Sequence, residues 1–206
     1  MLGAMLERYS WHRVAVSWLL PLLMAGANPS AAQPAPVPPP FEQLQADCTR
    51  PQYASDTLVC GDAELRAADA QVAALASALP TLAADAIWED QASWLRRRSL
   101  CAFKTDHRGC LVAAYADRRA VLAASARAAT QPIRCSGVSN GRTLAGSPLN
   151  AGQALTITEN GRLVAVATPP GTAWQPWLAW RAAGSRIKLQ PLGGTSITCH
   201  LHPTPR

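Results

Sequence analysis

The sequence lacks the short motifs that mark several enzyme classes. It contains no G-x-x-x-x-G-K-[ST] phosphate loop and no H-E-x-x-H, which excludes recognisable P-loop nucleotide hydrolases and zincin-type metalloproteases. Glu89 and Asp90 are adjacent, and neighbouring positions on a helix point in different directions, so they do not predict the carboxylate pair of a glycosidase. We predict that the protein is not an enzyme and uses no cofactor; a minor hydrolase that depends on Glu89 is the weakest alternative.

No apolar run reaches the roughly 20 residues that a membrane span needs. The run over residues 14–27 follows Arg8, His12 and Arg13 and leads into small residues that end at Ala27 or Ala32. A basic start, an apolar centre and a small-residue end are typical of a signal peptide. Residues 1–32 are therefore predicted to direct export to the periplasm or the medium of a bacterium, touching the membrane only transiently, with a retained anchor as the alternative. No cysteine lies near the cleavage region, so lipid attachment is not predicted.

Acidic residues are scarce in the C-terminal part of the chain. Residues 129–206 contain 7 Lys and Arg against 1 acidic residue, whereas residues 41–128 contain 10 against 11. The positive charge serves either the solubility of an apolar β domain or an anionic partner such as cell wall, lipopolysaccharide or nucleic acid. The arginines are scattered singly rather than clustered with aromatics, and we predict no nucleic-acid partner.

Six cysteines and a proline-rich stretch follow the signal peptide. Proline fixes φ, so residues 33–40 are predicted to form an extended linker. An even number of cysteines in an exported chain indicates three disulfides. Of the fifteen pairings we favour those that stay within one block of composition, which are Cys48–Cys60, Cys101–Cys110 and Cys135–Cys199. No C-x-x-C pair occurs, so a zinc site with His107, His200 or His202 is not predicted.

Helical patterns dominate the block between Cys60 and Pro132. Asp62 is an N-cap candidate, and apolar residues three or four apart follow it until Pro80 ends the helix. A second helix is predicted from Thr81 to about Cys101 and a third over about 109–128. The buried face of the second helix is predicted to contain Ile87, Trp88, Trp94 and Leu95. We expect residues 41–130 to form a three-helix, disulfide-bonded domain.

Strand patterns replace the helical ones beyond Pro132. Asn160-Gly161 is a strong hairpin signal, because both turn positions need a positive φ. We predict an antiparallel meander of about five strands, over 154–158, 163–167, 177–181, 186–190 and 195–199. The fold class is α+β, with residues 131–206 as a small antiparallel β-barrel or sandwich.

The helical block resembles the LprI N-terminal domain family, which is lysozyme-inhibitor-like. The matching residues are Asp47-Cys48, Cys60-Gly61-Asp62-Ala63-Glu64-Leu65 with Asp69, Gln91-x-x-Trp94-Leu95-x-x-Arg98-x-x-Cys101 and Cys110-Leu111-x-x-x-Tyr115-x-x-Arg118. Trp94 and Tyr115 are expected to pack in the core. Arg98 and Arg118 are expected to form ion pairs with Asp69 or Asp117, with ligand binding as the alternative.

The C-terminal block is similar to the MliC family of small β-barrel inhibitors of chicken-type lysozyme. The similarity rests on the bracketing cysteines, the Asn160-Gly161 turn, the strand with Trp177 and Trp180, and the Gly-Gly hairpin before Cys199. In that family two loops enter the lysozyme cleft, and the equivalent segments here are 168–172 and 180–184. This resemblance implies a partner-binding surface that includes Thr168, Trp174 and Arg181.

The two resemblances favour a binding protein that occludes a lysozyme-type muramidase by loop insertion. A basic inhibitor domain would meet a basic lysozyme with like charge, which lowers the association rate. The alternative is an envelope scaffold module that binds anionic cell-wall polymers through its basic β domain.

Overall fold

The computed structural model describes residues 44–136, 143–149 and 153–202. The predicted signal peptide and linker lie outside the described residues. Residues Pro40–Arg206 form one compact unit. Its helices are α1 (Asp56–Gly61), α2 (Ala63–Ala76), α3 (Gln91–Ser99) and α4 (His107–Ser125), with a 3-10 helix at Leu100–Phe103. Its strands are β1 (Leu82–Ile87), β2 (Gln131–Cys135), β3 (Leu144–Leu149), β4 (Ala154–Glu159), β5 (Arg162–Ala167), β6 (Leu178–Ala183), β7 (Arg186–Pro191) and β8 (Ile197–Leu201).

The strands form one open sheet in the order β1-β5-β4-β3-β2-β8-β7-β6. All neighbours are antiparallel except β1 and β5, which are parallel. The mixed α and β class is confirmed, but the predicted closed barrel or sandwich is wrong. The sheet stays open because β1 pairs with the edge of β5 that β6 would need in order to close a barrel. Among the described residues, an isolated bridge between Thr168 and Ala179 links the end of β5 to β6.

The predicted second helix is wrong over its first half, because Leu82–Ile87 is strand β1. Alanine-rich segments favour helix, but pairing with β5 overrides that preference by burying Ala83 and packing Ile87 against the sheet core. The helix begins instead after Asp90, whose side chain accepts a hydrogen bond from the Ser93 amide at 2.7 Å. Trp94 and Leu95 of the predicted buried face are fully buried on α3.

Aspartate caps also fix the starts of the other long helices. Asp62 accepts hydrogen bonds from the amides of Glu64 and Leu65 at the start of α2, as its position in the sequence predicts. Asp106 accepts one from the Gly109 amide at 2.8 Å at the start of α4. Each carboxylate satisfies amides that have no partner within the helix.

Three disulfides close the described part of the chain. They join Cys48 to Cys60, Cys101 to Cys110 and Cys135 to Cys199, and no cysteine is free. These are the pairs that the blocks of composition favour. The third joins facing residues of β2 and β8 in the middle of the sheet.

The helices pack on the β4–β5 side of the sheet. A helical core surrounds Trp94, Leu111 and Tyr115, and a sheet core includes Leu155, Ile187 and Leu189. A third cluster lies where α4 packs on β4 and β5. Strand residues 154–158 and 163–167 are buried on both faces for this reason. Within the described residues, no helix is long and apolar enough to span a membrane.

Candidate functional site

The structure separates the three residues predicted to bind a partner. Arg181 is exposed on β6. Thr168 is 3% exposed and Trp174 7% exposed, and both side chains contact Asp117 of α4. Thr168 and Trp174 are therefore placed to hold the loop between β5 and β6, whereas Arg181 lies on the sheet surface.

The β5–β6 loop, residues 168–177, is fastened to the helices by side-chain contacts. The Thr168 hydroxyl and the Trp174 indole N–H donate to the two oxygens of Asp117, the second at 3.0 Å. The Arg97 guanidinium lies 4.0 Å from the centre of the Trp174 ring and donates to the carbonyl of Gln175 at 2.7 Å. The cation attracts the face of the indole ring, and the Asp117 carboxyl group accepts one hydrogen bond from Thr168 and one from Trp174. These contacts hold the loop in one conformation.

A close backbone approach shapes the tip of this loop. A Cβ on Gly171 would lie 2.5 Å from the carbonyl oxygen of Trp174, so only glycine fits there. The Gln175 side-chain amide donates to the Gly171 carbonyl at 2.9 Å. Residues 171–173 remain exposed above these contacts. The tip is thus presented to solvent while its base is buried.

A cleft of about 630 Å³ lies between the β5–β6 loop and α4. Small residues of α4 form one wall, and Pro169, Trp174 and Pro176 belong to the other. Asp117 and Arg119 supply the charged groups. A mostly apolar cleft with a few polar groups is a common form of binding site.

Glu89 fixes the orientation of the Arg97 side chain. Its two carboxylate oxygens each accept a bond from the Arg97 guanidinium at 2.6 Å, and Glu89 is 5% exposed. The fork-to-fork geometry fixes the guanidinium plane. Glu89 is therefore engaged as a positioning group and its carboxylate does not face solvent.

Burial raises the pKa of the Asp117 carboxyl, although the bonds from Thr168 and Trp174 lower it in part. A raised folded-state pKa means that the folded protein keeps this proton at a pH where the unfolded chain has lost it. The contribution of Asp117 to stability consequently declines as pH rises from about the ordinary aspartate pKa of 3.8 through the raised pKa.

Unfolding of wild type and Asp117→Asn by urea at stepped pH measures this contribution. We expect the difference in unfolding free energy, wild type minus variant, to fall as pH rises through that window. Asp90→Asn is the control of opposite sign. Burial raises the Asp90 pKa, but the bonds from Ser93 outweigh it and the net pKa is lowered, so its difference should grow with pH. A free-energy difference that changes with pH in the same direction for both variants would contradict the opposite pKa shifts of Asp117 and Asp90.

A second buried cluster centres on Arg98, which is fully buried. Its guanidinium contacts a carboxylate oxygen of Asp56, the Tyr115 hydroxyl and, at 3.4 Å, Asp69. The Tyr115 hydroxyl also donates to Asp69 at 2.8 Å. The expected ion pair of Arg98 with Asp69 is confirmed, and Asp56 joins it. Because no solvent reaches the guanidinium, the cluster stabilises the fold and offers no surface to a ligand.

Arg118 forms no ion pair with a carboxylate of the described residues. It donates to the Gln91 side chain and the Glu89 carbonyl, both at 3.0 Å, and burial lowers its pKa to about 10. It remains charged at neutral pH. The ion pair predicted for Arg118 is wrong, because Asp117 beside it turns to the β5–β6 loop.

Two arrangements in the chain resemble parts of catalytic sites. The Ser55 hydroxyl lies 2.9 Å from Nε2 of His107, but Ser55 is 0% exposed and no substrate can reach it. Residues 137–141 read G-V-S-N-G, the G-x-S-x-G spacing of hydrolase nucleophile elbows, and lie outside the described residues. The flanking elements are the antiparallel strands β2 and β3, whereas such an elbow joins a strand to a helix. In the described ranges no three His, Cys, Asp or Glu side chains group as metal ligands.

No sequence pattern predicts the contacts of Asp117 and Arg97 with the β5–β6 loop. Both occupy positions on helices that read as ordinary solvated charges, and their partner Trp174 is 57 residues from Asp117 along the chain. A weak signal pointed to burial of Asp117, because this aspartate lies beside apolar and small residues on α4 that do not need to face solvent.

Comparison with known proteins supports the family expected from the helical block. The chain is 35% identical over 125 residues to Lipoprotein LprI of Mycobacterium bovis and to Lipoprotein LprI of Mycobacterium tuberculosis. The match covers 60% of this chain and 61% of each relative. No family model and no solved structure matches the chain. The resemblance to the MliC family stays a prediction. The predicted resemblance of this chain to LprI, indicated by its pattern of cysteines, tryptophan and tyrosine, is thereby confirmed.

Proposed function

We propose that the protein is an exported, non-enzymatic, lysozyme-inhibitor-like protein that occludes a muramidase by inserting the tip of the β5–β6 loop. The observation that carries the proposal is the construction of this loop. Its tip is exposed at residues 171–173, while Thr168 and Trp174 are fixed to Asp117 below it. The type of partner is the one implied by the resemblance of the helical block to the lysozyme-inhibitor-like LprI family, and the similarity to Lipoprotein LprI supports that resemblance.

A fixed loop favours binding because little conformational freedom is lost when the partner closes on it. Ordering a flexible side chain at an interface costs about 0.5–1.5 kcal/mol. Here the contacts of Asp117 and Arg97 have already ordered the base of the loop. The loop can enter a cleft without refolding.

The charge distribution is compatible with a basic partner. Residues 163–180, which include the whole loop, contain no charged side chain. The seven basic residues of the C-terminal part all lie elsewhere in the sequence. When this loop enters the muramidase cleft, it therefore brings no positive side chain of its own into that cleft.

Export is supported by the disulfides. Three bridges persist in oxidising compartments and are rare in the cytosol. The predicted signal peptide over residues 1–32 is the other support. Periplasmic and secreted destinations both fit this chemistry.

Ala173→Asp tests the loop directly. A cleft that cuts glycosidic bonds holds two carboxyl groups, so an introduced carboxylate at the exposed tip should be repelled. We expect inhibition of a chicken-type lysozyme clearing a bacterial cell-wall suspension to weaken at least about tenfold, which corresponds to about 1.4 kcal/mol.

Ala70→Asp is the matched control, because Ala70 is an exposed alanine on α2 that belongs to none of the loop contacts. It should inhibit as wild type does. Lysozyme activity that is unaffected by excess wild-type protein would refute the proposed function. Equal weakening by both variants would remove the loop from it.

A further inference from the structure

The register of four strands gathers basic residues onto one face of the sheet. Arg181 of β6 lies opposite Lys188 of β7, Arg186 of β7 opposite His200 of β8, and His200 opposite Arg134 of β2. Paired residues, and alternate residues along a strand, point to the same side of a sheet. These five side chains, hereafter the basic face, are all exposed.

The alternate positions of the same strands show that the basic face is the outer one. Ile187 and Leu189 of β7, Cys199 of β8 and Ile133 of β2 are each at most 1% exposed and lie in the sheet core. The side chains between them in sequence must therefore point to solvent. Residues that look scattered along the chain become neighbours because of the pairing.

The basic face has no counter-charge in the described part of the chain. None of its four Arg and Lys side chains forms an ion pair with a described carboxylate. The acidic residue of the C-terminal part, Glu159, lies on β4 opposite Arg162. Like charges directly opposite each other on two strands destabilise the pairing, so Arg181 and Lys188 weaken their own hairpin until an anion lies over them.

We infer that the basic face binds a linear polyanion of the cell envelope, with a negative charge on each repeat, in a mode independent of the proposed muramidase binding. Neighbouring strands are about 4.8 Å apart and alternate residues about 6.8 Å apart, so the array spans roughly 14 Å from β6 to β2. A set of charges this wide matches several successive anions rather than one small ion.

The surroundings favour a wall polymer over nucleic acid. None of the five residues is Phe, Tyr or Trp, and the residues that pair with Arg186 and Lys188 on their other sides are Ala183 and Thr198. Binding of single-stranded nucleic acid relies on aromatic side chains interleaved with the positive charges. A sugar or polyol phosphate polymer needs the charges alone.

Binding of the oxidised protein to polyglycerol phosphate, measured at stepped salt concentrations, tests the inference. The double variant Arg181→Glu with Lys188→Glu should bind at least about tenfold more weakly, with the slope of log K against log salt smaller by about 2. The control Arg50→Glu with Arg127→Glu has the same net charge and changes two exposed arginines outside the basic face. It should stay within about twofold of wild type.

Each alternative has its own outcome. Equal loss in the two double variants would reduce the effect to net charge and overturn the site. Tighter binding to single-stranded DNA, or to phosphatidylglycerol vesicles at equal phosphate concentration, would overturn the polymer as the ligand. Dextran of matched length should not bind. Because muramidase inhibition is measured separately and depends on the β5–β6 loop, failure of one proposal leaves the other standing.

Discussion

Replacing Arg98 with methionine is expected to lower the free energy of unfolding by roughly 3–5 kcal/mol. The change leaves Asp56, which is 0% exposed, without its guanidinium partner in a region that water does not reach. Asp69 keeps the bonds from Tyr115 and the Ala46 amide but loses a positive neighbour. Desolvation already raises the Asp69 pKa, and removal of Arg98 should raise it further. Urea unfolding with the disulfides intact measures the loss.

Arg96→Met is the matched control for Arg98→Met. Arg96 lies on the same helix but is exposed, and its guanidinium donates to the Ser93 hydroxyl at 2.9 Å. Exposed contacts of this kind contribute little, so we expect a change within about 0.5 kcal/mol. If Arg98→Met lowers the free energy of unfolding by less than about 1 kcal/mol, packing of the methionine side chain makes up for the lost ion pair. That result would contradict the expectation.

This cluster shows which contacts a sequence can predict. The i, i+3 and i+4 spacing predicts Trp94 and Leu95 on the buried side of α3. The pairing of Arg98 with Asp69 was one of the pairings expected from the residues matched to the LprI family. Asp56 was missed because α1 is a six-residue helix, too short to give a periodic pattern. Its carboxylate also accepts the amides of Gln52 and Tyr53, contacts that depend on a turn and not on periodicity.

The sheet shows the same division between local and distant information. Strands β4 to β8 were predicted, because β-branched runs and Gly turns mark them, and Asn160 and Gly161 do adopt positive φ at 50° and 77°. β2 and β3 were missed because each contains a proline, which reads as a break. Gly146 also weakens the strand pattern of β3. The structure explains this glycine, because a Cβ there would lie 3.0 Å from Cδ1 of Ile133 on β2.

The candidate site was only partly accessible to sequence reasoning. The resemblance to a lysozyme-inhibitor family directed attention to Thr168 and Trp174, and the structure places both in the loop that it brings against α4. Both side chains face inward and contact Asp117, and their binding of a partner stays a prediction. No local pattern can reveal this orientation, since the outcome depends on β1 and α4 lying beside β5. The basic face was hidden for a related reason: its members are separated by up to 66 residues and meet only through strand register.

Removal of the Cys135–Cys199 bridge, by replacing both cysteines with alanine, is expected to lower the free energy of unfolding by roughly 4 kcal/mol. The bridge closes a loop with a sequence separation of 64, whereas Cys48–Cys60 closes one of 12. On the loop-entropy account the second pair contributes less, roughly 3 kcal/mol, since the restriction of the unfolded chain grows with the logarithm of loop length. Cys135 and Cys199 are also 4% and 0% exposed, so their replacement removes packing from the sheet core as well. Guanidinium unfolding of the two double-alanine variants under identical conditions compares them, and an equal or greater loss for the Cys48–Cys60 pair would contradict the expectation.

Because Cys135 and Cys199 sit beside Arg134 and His200 in the paired strands, the bridge also holds one end of the basic face in register, and its loss should weaken polyanion binding more than loss of the Cys48–Cys60 bridge does.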